Sequence, residues 1–174
     1  MPNLTSSQLF LGLTALLVAG LLAYGQWGTP PRPPRHRPPG IAAPGGRRVL
    51  KTEAQWQDQL TNSQYNTLRC NDTDWPGSHA LLHEKRPGTY ACAGCLSALF
   101  SAKTKFESHT GWPSFYAPAR PDAVYTEPDG RRTEIRCAVC DGHLGHVFAD
   151  GPAPTGLRYC LNGTALLFRP QNSQ

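Results

Sequence analysis

Apolar positions are spread unevenly along this chain, and their spacing changes character three times. Residues Leu9 to Tyr24, LFLGLTALLVAGLLAY, form an uncharged and almost uninterrupted apolar run. The run stops short of the roughly 20 apolar residues that a membrane-spanning helix needs, and Gly25 to Trp27 bring it close. Residues 28–46 read GTPPRPPRHRPPGIAAPGG and have no apolar period, which predicts an extended, partly polyproline linker. Trp56 and Leu60 then fall four apart in Thr52-Glu-Ala-Gln-Trp-Gln-Asp-Gln-Leu60. That spacing predicts a short helix capped by Thr52 that buries the pair. A second helical turn is predicted over Ser63 to Leu68. After Gly88 the pattern becomes short and β-rich. Thr89–Cys92, Ala98–Ser101, Ala123–Thr126, Thr133–Cys137, His146–Ala149, Leu157–Leu161 and Ala165–Arg169 read as strands separated by Gly, Pro, Asp and Asn. Many short strands with turn punctuation predict a mainly β domain of antiparallel sheets, tent-like or barrel-like, with short helices at its start.

Composition sharpens the division. A chain of 174 residues has room for one domain and an appendage. The segments are a hydrophobic leader at 1–27, a Pro/Gly/Arg-rich linker at 28–48, a folded domain at 49–170 and a tail at 171–174. The net charge of +5 is local, because Arg32, Arg35, Arg37, Arg47 and Arg48 are the only formal charges before Val49. Acidic and basic side chains cancel beyond that point. The pI of about 9.0 is therefore a property of the linker and gives no reason to expect a nucleic-acid partner. Two readings of the leader stay open. One is a signal peptide cleaved near Ala23-Tyr24-Gly25, and the other is an uncleaved anchor with the proline-rich segment as a stalk. Either makes the protein membrane-anchored or exported. The membrane side is left open, because arginines after the apolar run favour keeping the C-terminal domain in the cytoplasm. A basic linker there would also meet anionic lipid.

Four of the six cysteines stand in two CxxC pairs, Cys92-Ala-Gly-Cys95 and Cys137-Ala-Val-Cys140. A two-residue spacer lets a tight turn aim both thiolates at one ion, and tetrahedral zinc takes four such ligands. The expectation is a closed, structural Zn2+ site. The alternatives are disulfide pairs in a secreted domain and a redox CxxC, and a second CxxC argues against the redox motif. A metal joining two distant turns would stabilise so small a core.

Cys70 and Cys160 are left for chemistry. In a strand, Arg158, Cys160 and Asn162 share one face. A guanidinium beside a thiol lowers its pKa and favours the reactive thiolate. The plain alternative is an inert cysteine on a core strand, with Asn162-Gly163 as an ordinary hairpin turn. His143 and His146 come just after the second CxxC. Four cysteines already satisfy one ion, so the histidines read as hydrogen-bonding groups of a pocket, or else as surface residues of a turn. Trp112, in Gly111-Trp-Pro-Ser-Phe115, offers an apolar wall to a small substrate group or fills a core.

The order KF-x-S-x-T-GWPSF, then C-x-x-C-D-G-HLGHVF-x-DGP-x-PTG-x-RYC-x-N, resembles the B-type methionine sulfoxide reductases, over about Thr52 to Phe168. The resemblance implies a β-sheet tent or barrel closed by structural zinc on Cys92, Cys95, Cys137 and Cys140. It implies reduction of the R epimer of methionine sulfoxide, free or in oxidised proteins. Cys160 matches the nucleophile, which would pass through a sulfenic acid. Trp112 matches the residue that packs against the substrate methyl, and Phe148, Arg158 and Asn162 join it as substrate-binding residues. His143, His146, Asp150, Arg158 and Asn162 match the polar pocket. Many members carry a resolving cysteine where this chain has Thr110, and the family's R-x-x-G-T-E block reads Arg69-Cys-Asn-Asp-Thr-Asp74 here. That block puts Cys70 where some members keep an alternative recycling cysteine. The implied partner is a thioredoxin-like reductant, and the expected state is a monomer. A non-enzymatic zinc-ribbon binding module is the competing class.

Overall fold

The computed structural model describes residues 48–171. Helix α1 spans Glu53–Gln59 and helix α2 spans Asn62–Cys70. Each starts on a threonine: Thr52 accepts from Gln55 N while the Gln55 side chain accepts from Thr52 N, and Thr61 and Gln64 repeat the exchange. Each pair satisfies N–H groups that a helix start leaves open, at roughly 1 kcal/mol per cap. The first helix matches the sequence expectation. The second is longer than expected and ends on Asn71 in the left-handed region. Trp56, Leu60, Tyr65 and Leu68 are buried.

The rest of the domain is built on two antiparallel sheets. Strands β1 (Gly88–Cys92), β2 (Ala98–Ser101) and β9 (Leu166–Pro170) form the smaller, in the order β2-β1-β9. The larger contains β3 (Lys105–Phe106), β4 (Ser114–Phe115), β5 (Val124–Asp129), β6 (Arg132–Cys137), β7 (His143–Phe148) and β8 (Arg158–Leu161). Its order is β3-β4-β8-β7-β6-β5. Neither sheet closes on itself, so the mainly β, tent-like expectation holds and the barrel does not form. Pro128 lies in the edge strand β5, where a missing N–H is tolerated. Strands β3 and β4 were not legible in the sequence, because two residues carry no alternation.

Between the sheets Tyr90, Phe100 and Phe115 are fully buried. The Phe115 ring lies 4.8 Å from both Tyr90 and Phe100, edge-on to the first and tilted to the second. Ile135, Leu144 and Leu161 add the buried aliphatic surface of the larger sheet. Its polar residues are aligned by register. Glu134 on β6 faces His146 on β7, His146 faces Cys160 on β8, and Cys160 faces Ser114 on β4. The β6–β7 register shifts between Ile135 and Arg136, which sets His143 opposite Arg136. This irregularity lets β7 start at His143, three residues before the expected strand. A strict alternation would have put His143 and His146 on opposite faces.

The expectation of a protein anchored in or exported across a membrane is overturned. Among the described residues no helix is long and apolar enough to cross a membrane. Helices α1 and α2 have 7 and 9 residues, against the roughly 20 that a span requires. The leader, the linker up to Arg47 and the tail after Gln171 lie outside the described residues.

Gly145 tests the β7–β8 register. Its φ is +150°, and an added Cβ would press into the Cys160 carbonyl oxygen, which belongs to backbone and cannot swing away. Gly145→Ala is expected to cost about 2–3 kcal/mol, read as a lower urea midpoint. An unchanged midpoint would show that β7 and β8 pair otherwise.

Candidate functional site

Two centres emerge from the fold. The first is the cysteine cluster. Cys92 ends β1 in the smaller sheet and Cys137 ends β6 in the larger. Each opens a tight turn closed by backbone bonds, Leu96 N to Cys92 O at 2.9 Å and Asp141 N to Cys137 O at 3.0 Å. Leu96 and Asp141 both take positive φ, so the two turns are built alike. The Sγ atoms of Cys92 and Cys140 are 3.6 Å apart and those of Cys95 and Cys137 are 3.5 Å apart. All four ligand atoms lie within 4.8 Å of one another and all four residues are buried. Tetrahedral thiolate coordination with bonds of about 2.3 Å places the sulfurs about 3.8 Å apart, so the cluster fits a metal ion. No disulfide joins any of the six cysteines. Mutual hydrogen bonding raises Cys92 and Cys140 and lowers Cys95 and Cys137, the pattern of sulfurs sharing too few protons. Trp56 and Leu68 pack at Gly94, and Leu68 packs at Gly142, so helices α1 and α2 lie over both turns.

The second centre is a cavity of about 110 Å³ on the larger sheet. Cys160, His146, Asn162, Trp112, Phe148 and Arg132 line it. Trp112 is held by its Nε1–H, which donates to Asp74 O at 3.0 Å. Asn162 accepts through Oδ1 from Asp74 N at 3.0 Å, which fixes the orientation of its amide. Arg158 grips Asp150 with two bonds of 2.9 and 2.8 Å and covers the Phe148 ring at 4.3 Å. Beside Cys160 runs a chain of hydroxyls. Thr110 Oγ1 is 3.8 Å from the Cys160 sulfur, Ser108 Oγ is 2.8 Å from Thr110 and 2.7 Å from Ser114, and Ser114 Oγ donates to Trp112 O at 3.1 Å.

Behind the cavity lies a buried polar cluster. Glu134 Oε1 accepts from Asn71 Nδ2 at 3.1 Å and Arg136 Nη1 at 2.8 Å, and stands 2.6 Å from His143 Nδ1. Against a carboxylate, His143 donates through Nδ1. Its buried Nε2 has no hydrogen-bond partner among the described residues. Its ring lies edge-on to His146 at 5.4 Å. His146 Nε2 in turn meets Asp129 Oδ2 at 2.9 Å.

The structure thus brings Cys160, His146, Trp112, Phe148 and Asn162 to one cavity and puts Arg158 and Asp150 at its margin. Two residues stand apart from the lining, and the Cys160 thiol departs from expectation. The Asp150 carboxylate is held by Arg158 and makes no hydrogen bond to either histidine. Cys70 does not line the cavity; it packs against the core at the end of α2, three residues before the cavity residue Thr73. The Cys160 thiol pKa is raised, because burial outweighs the pull of Thr110, Arg158 and Ser114. Arg158 cannot reverse that balance while Asp150 neutralises it. Burial likewise lowers His146, so it rests neutral. Glu134, Asp129 and the hydroxyls of Ser108 and Ser114 were missed. Glu134 and Arg136 flank Ile135 in an alternating strand, which was the available signal, but only the β6–β7 register ties them to the histidines. A larger cavity of about 530 Å³, lined by His79, Glu84, Arg86 and Phe168 among others, contains no cysteine.

The SelR domain family model matches residues 60–170. Named relatives are similar over most of the chain. The peptide methionine sulfoxide reductase MsrB of Agrobacterium fabrum is 48% identical over 127 residues, 71% of this chain and 94% of the relative. That of Bradyrhizobium diazoefficiens is 50% identical over 128 residues, covering 71% and 92%. That of Leifsonia xyli subsp. xyli is 48% identical over 136 residues, covering 75% and 98%. The matched region holds both cysteine pairs and every cavity residue, and on these grounds the chain belongs to the SelR-domain family of B-type methionine sulfoxide reductases.

Proposed function

We propose that this protein reduces the R epimer of methionine sulfoxide to methionine, with Cys160 as the nucleophile. The observation that carries the reading is a cysteine that lines one small cavity together with the aromatic Trp112 and Phe148 and the polar His146 and Asn162. The apolar walls suit the substrate methyl, and the polar edge suits its oxygen.

The resting charges suggest where the proton goes. Cys160 rests as a thiol and His146 as a neutral imidazole. His146 takes the thiol proton as the sulfur attacks, then delivers it to the sulfoxide oxygen, with the Asn162 amide beside it. No outside proton is needed. The Cys160 S–O bond forms as the methionine S–O bond breaks. Methionine sulfur gains two electrons and Cys160 loses two, ending as sulfenic acid. Asp129 holds His146 in place during the transfer. The known reversal of methionine sulfoxide formation by this enzyme class agrees with that step.

Recycling takes one of two routes. Cys70 condenses with the sulfenic acid, releasing water and leaving a disulfide for a thioredoxin-like dithiol to reduce, or an external thiol attacks Cys160 directly. The first route requires the segment 70–74 to leave its ties to Glu134, Asn162 and Trp112. The cysteine cluster takes Zn2+ in this reading, a closed four-thiolate site that stabilises the fold and stays outside the chemistry.

Three outcomes are expected. Cys160→Ser abolishes even one turnover, while Cys70→Ser spares one and slows recycling by thioredoxin; full multiple turnover by Cys70→Ser removes the resolving role. The Arg158 cation favours the thiolate, so Arg158→Met raises the thiol pKa further. Its iodoacetamide labelling at Cys160, read by mass spectrometry at pH 7, is expected to slow about three- to tenfold. Faster labelling would reverse the assigned electrostatics. Metal analysis is expected to find one zinc per chain, with chelation lowering Tm by at least about 10 °C. A metal-free protein with the same Tm would remove the zinc assignment.

A further inference from the structure

Trp75 is the most exposed of the large hydrophobic side chains described, at 82%. A loose loop does not explain it. Both neighbours of this indole are tied down. Asp74 donates its N–H to Asn162 Oδ1 at 3.0 Å, accepts Trp112 Nε1–H at its carbonyl at 3.0 Å, and accepts Thr164 N–H at Oδ2 at 3.0 Å. Trp75 O accepts from Ser78 N at 3.2 Å and Ser78 Oγ at 2.7 Å. Gly77 N donates to Gly111 O at 2.8 Å. Pro76 lies so close to Gly111 that a Cβ there would come within 2.8 Å of the proline ring. The chain therefore holds a bare indole on a fixed turn at a cost in apolar exposure.

The Trp75 backbone lies beside a cavity residue. The Asp74 carbonyl oxygen touches Trp112 Nε1, so peptide geometry puts the Trp75 Cα within about 6 Å of that nitrogen. Trp112 is a cavity wall and Thr73 lines the same cavity. The cavity, about 110 Å³, is far below the roughly 300–1,000 Å³ of a pocket that swallows a whole drug-sized ligand. It admits one side chain. The main chain and flanking residues of a polypeptide would lie outside, across the rim.

We propose that Trp75 is a docking platform for polypeptide substrate: it covers an apolar side chain next to the methionine sulfoxide and sets the preference for peptide over the free amino acid. A preordered, desolvating aromatic beside a pocket is the usual anchor of a recognition surface. The platform rests on the reductase reading of the same cavity.

The test uses the full chain with dithiothreitol and two substrates. One is free L-methionine-R-sulfoxide. The other is a blocked pentapeptide with R-methionine sulfoxide at its centre and leucine on either side. Trp75→Ala is expected to raise KM for the peptide about tenfold, with kcat within about twofold, and to leave the free amino acid unchanged. Trp75→Phe is expected to restore most of the peptide KM. Replacing both leucines by serine is expected to erase the difference between wild type and Trp75→Ala. An equal loss on both substrates, or no loss on the peptide, overturns the platform. So does a wild-type self-association in sedimentation that Trp75→Ala abolishes, since a second copy would then cover the indole. Turnover of the free sulfoxide by wild type keeps the reductase reading whichever way the peptide result falls, and no turnover of either substrate removes both.

Discussion

Four buried cysteine sulfurs within 4.8 Å of one another are the constraint on which the rest of the structure depends. They cannot all be charged in a low-dielectric interior without a cation, and four crowded thiols make poor partners for one another. One ion satisfies them all. It would also join the end of β1 to the end of β6, and so one sheet to the other. Helices α1 and α2 complete the arrangement by laying Trp56 and Leu68 over the two turns. The described chain begins there as well, with Arg48 paired to Asp141 at 2.8 Å and Val49 N bonded to Val139 O at 3.0 Å. A domain of this size has little apolar surface to spare, so a metal held there would share the stabilisation with the small aromatic core.

With the sheets fixed, register does the remaining work. Glu134, His146, Cys160 and Ser114 form one row across four strands. Each is placed by backbone pairing, which keeps these groups from depending on loop conformation. The charges along the row are arranged in opposed pairs. Arg158 is matched by Asp150, Arg132 by Asp129, and Arg136 by Glu134. The cavity therefore carries little net field, burial dominates, and Cys160 keeps its proton until a substrate arrives. A thiol at rest is also less exposed to adventitious oxidation than a permanent thiolate.

Much of this was legible in the sequence, and what was hidden has a common cause. The two CxxC pairs pointed to the four-sulfur cluster, because their chemistry is set by local spacing. The capped helix at Thr52 and most strands came from short-range patterns. The ordered blocks around Trp112 and Cys160 gave the family. What escaped notice depends on partners far apart in sequence. The link from His143 to Glu134 needs the shifted β6–β7 pairing. The absence of Cys70 from the cavity lining depends on how α2 packs. The raised Cys160 pKa reflects a sum of burial and a neutralised arginine that no neighbour along the strand announces. The apolar run at the start of the chain prompted a membrane assignment that the described residues do not bear out.

Everything proposed for the Cys160 cavity turns on whether it removes oxygen from one epimer of methionine sulfoxide. The decisive assay incubates the full chain, without reductant, with R- and S-methionine sulfoxide in separate reactions. It quantifies methionine per enzyme and locates the oxidised cysteine by mass spectrometry. The expected result is about one methionine per chain from the R epimer, none from the S epimer, and the oxidised sulfur at Cys160. Methionine formed equally from both epimers, or formed with Cys160 still reduced, would contradict the assignment.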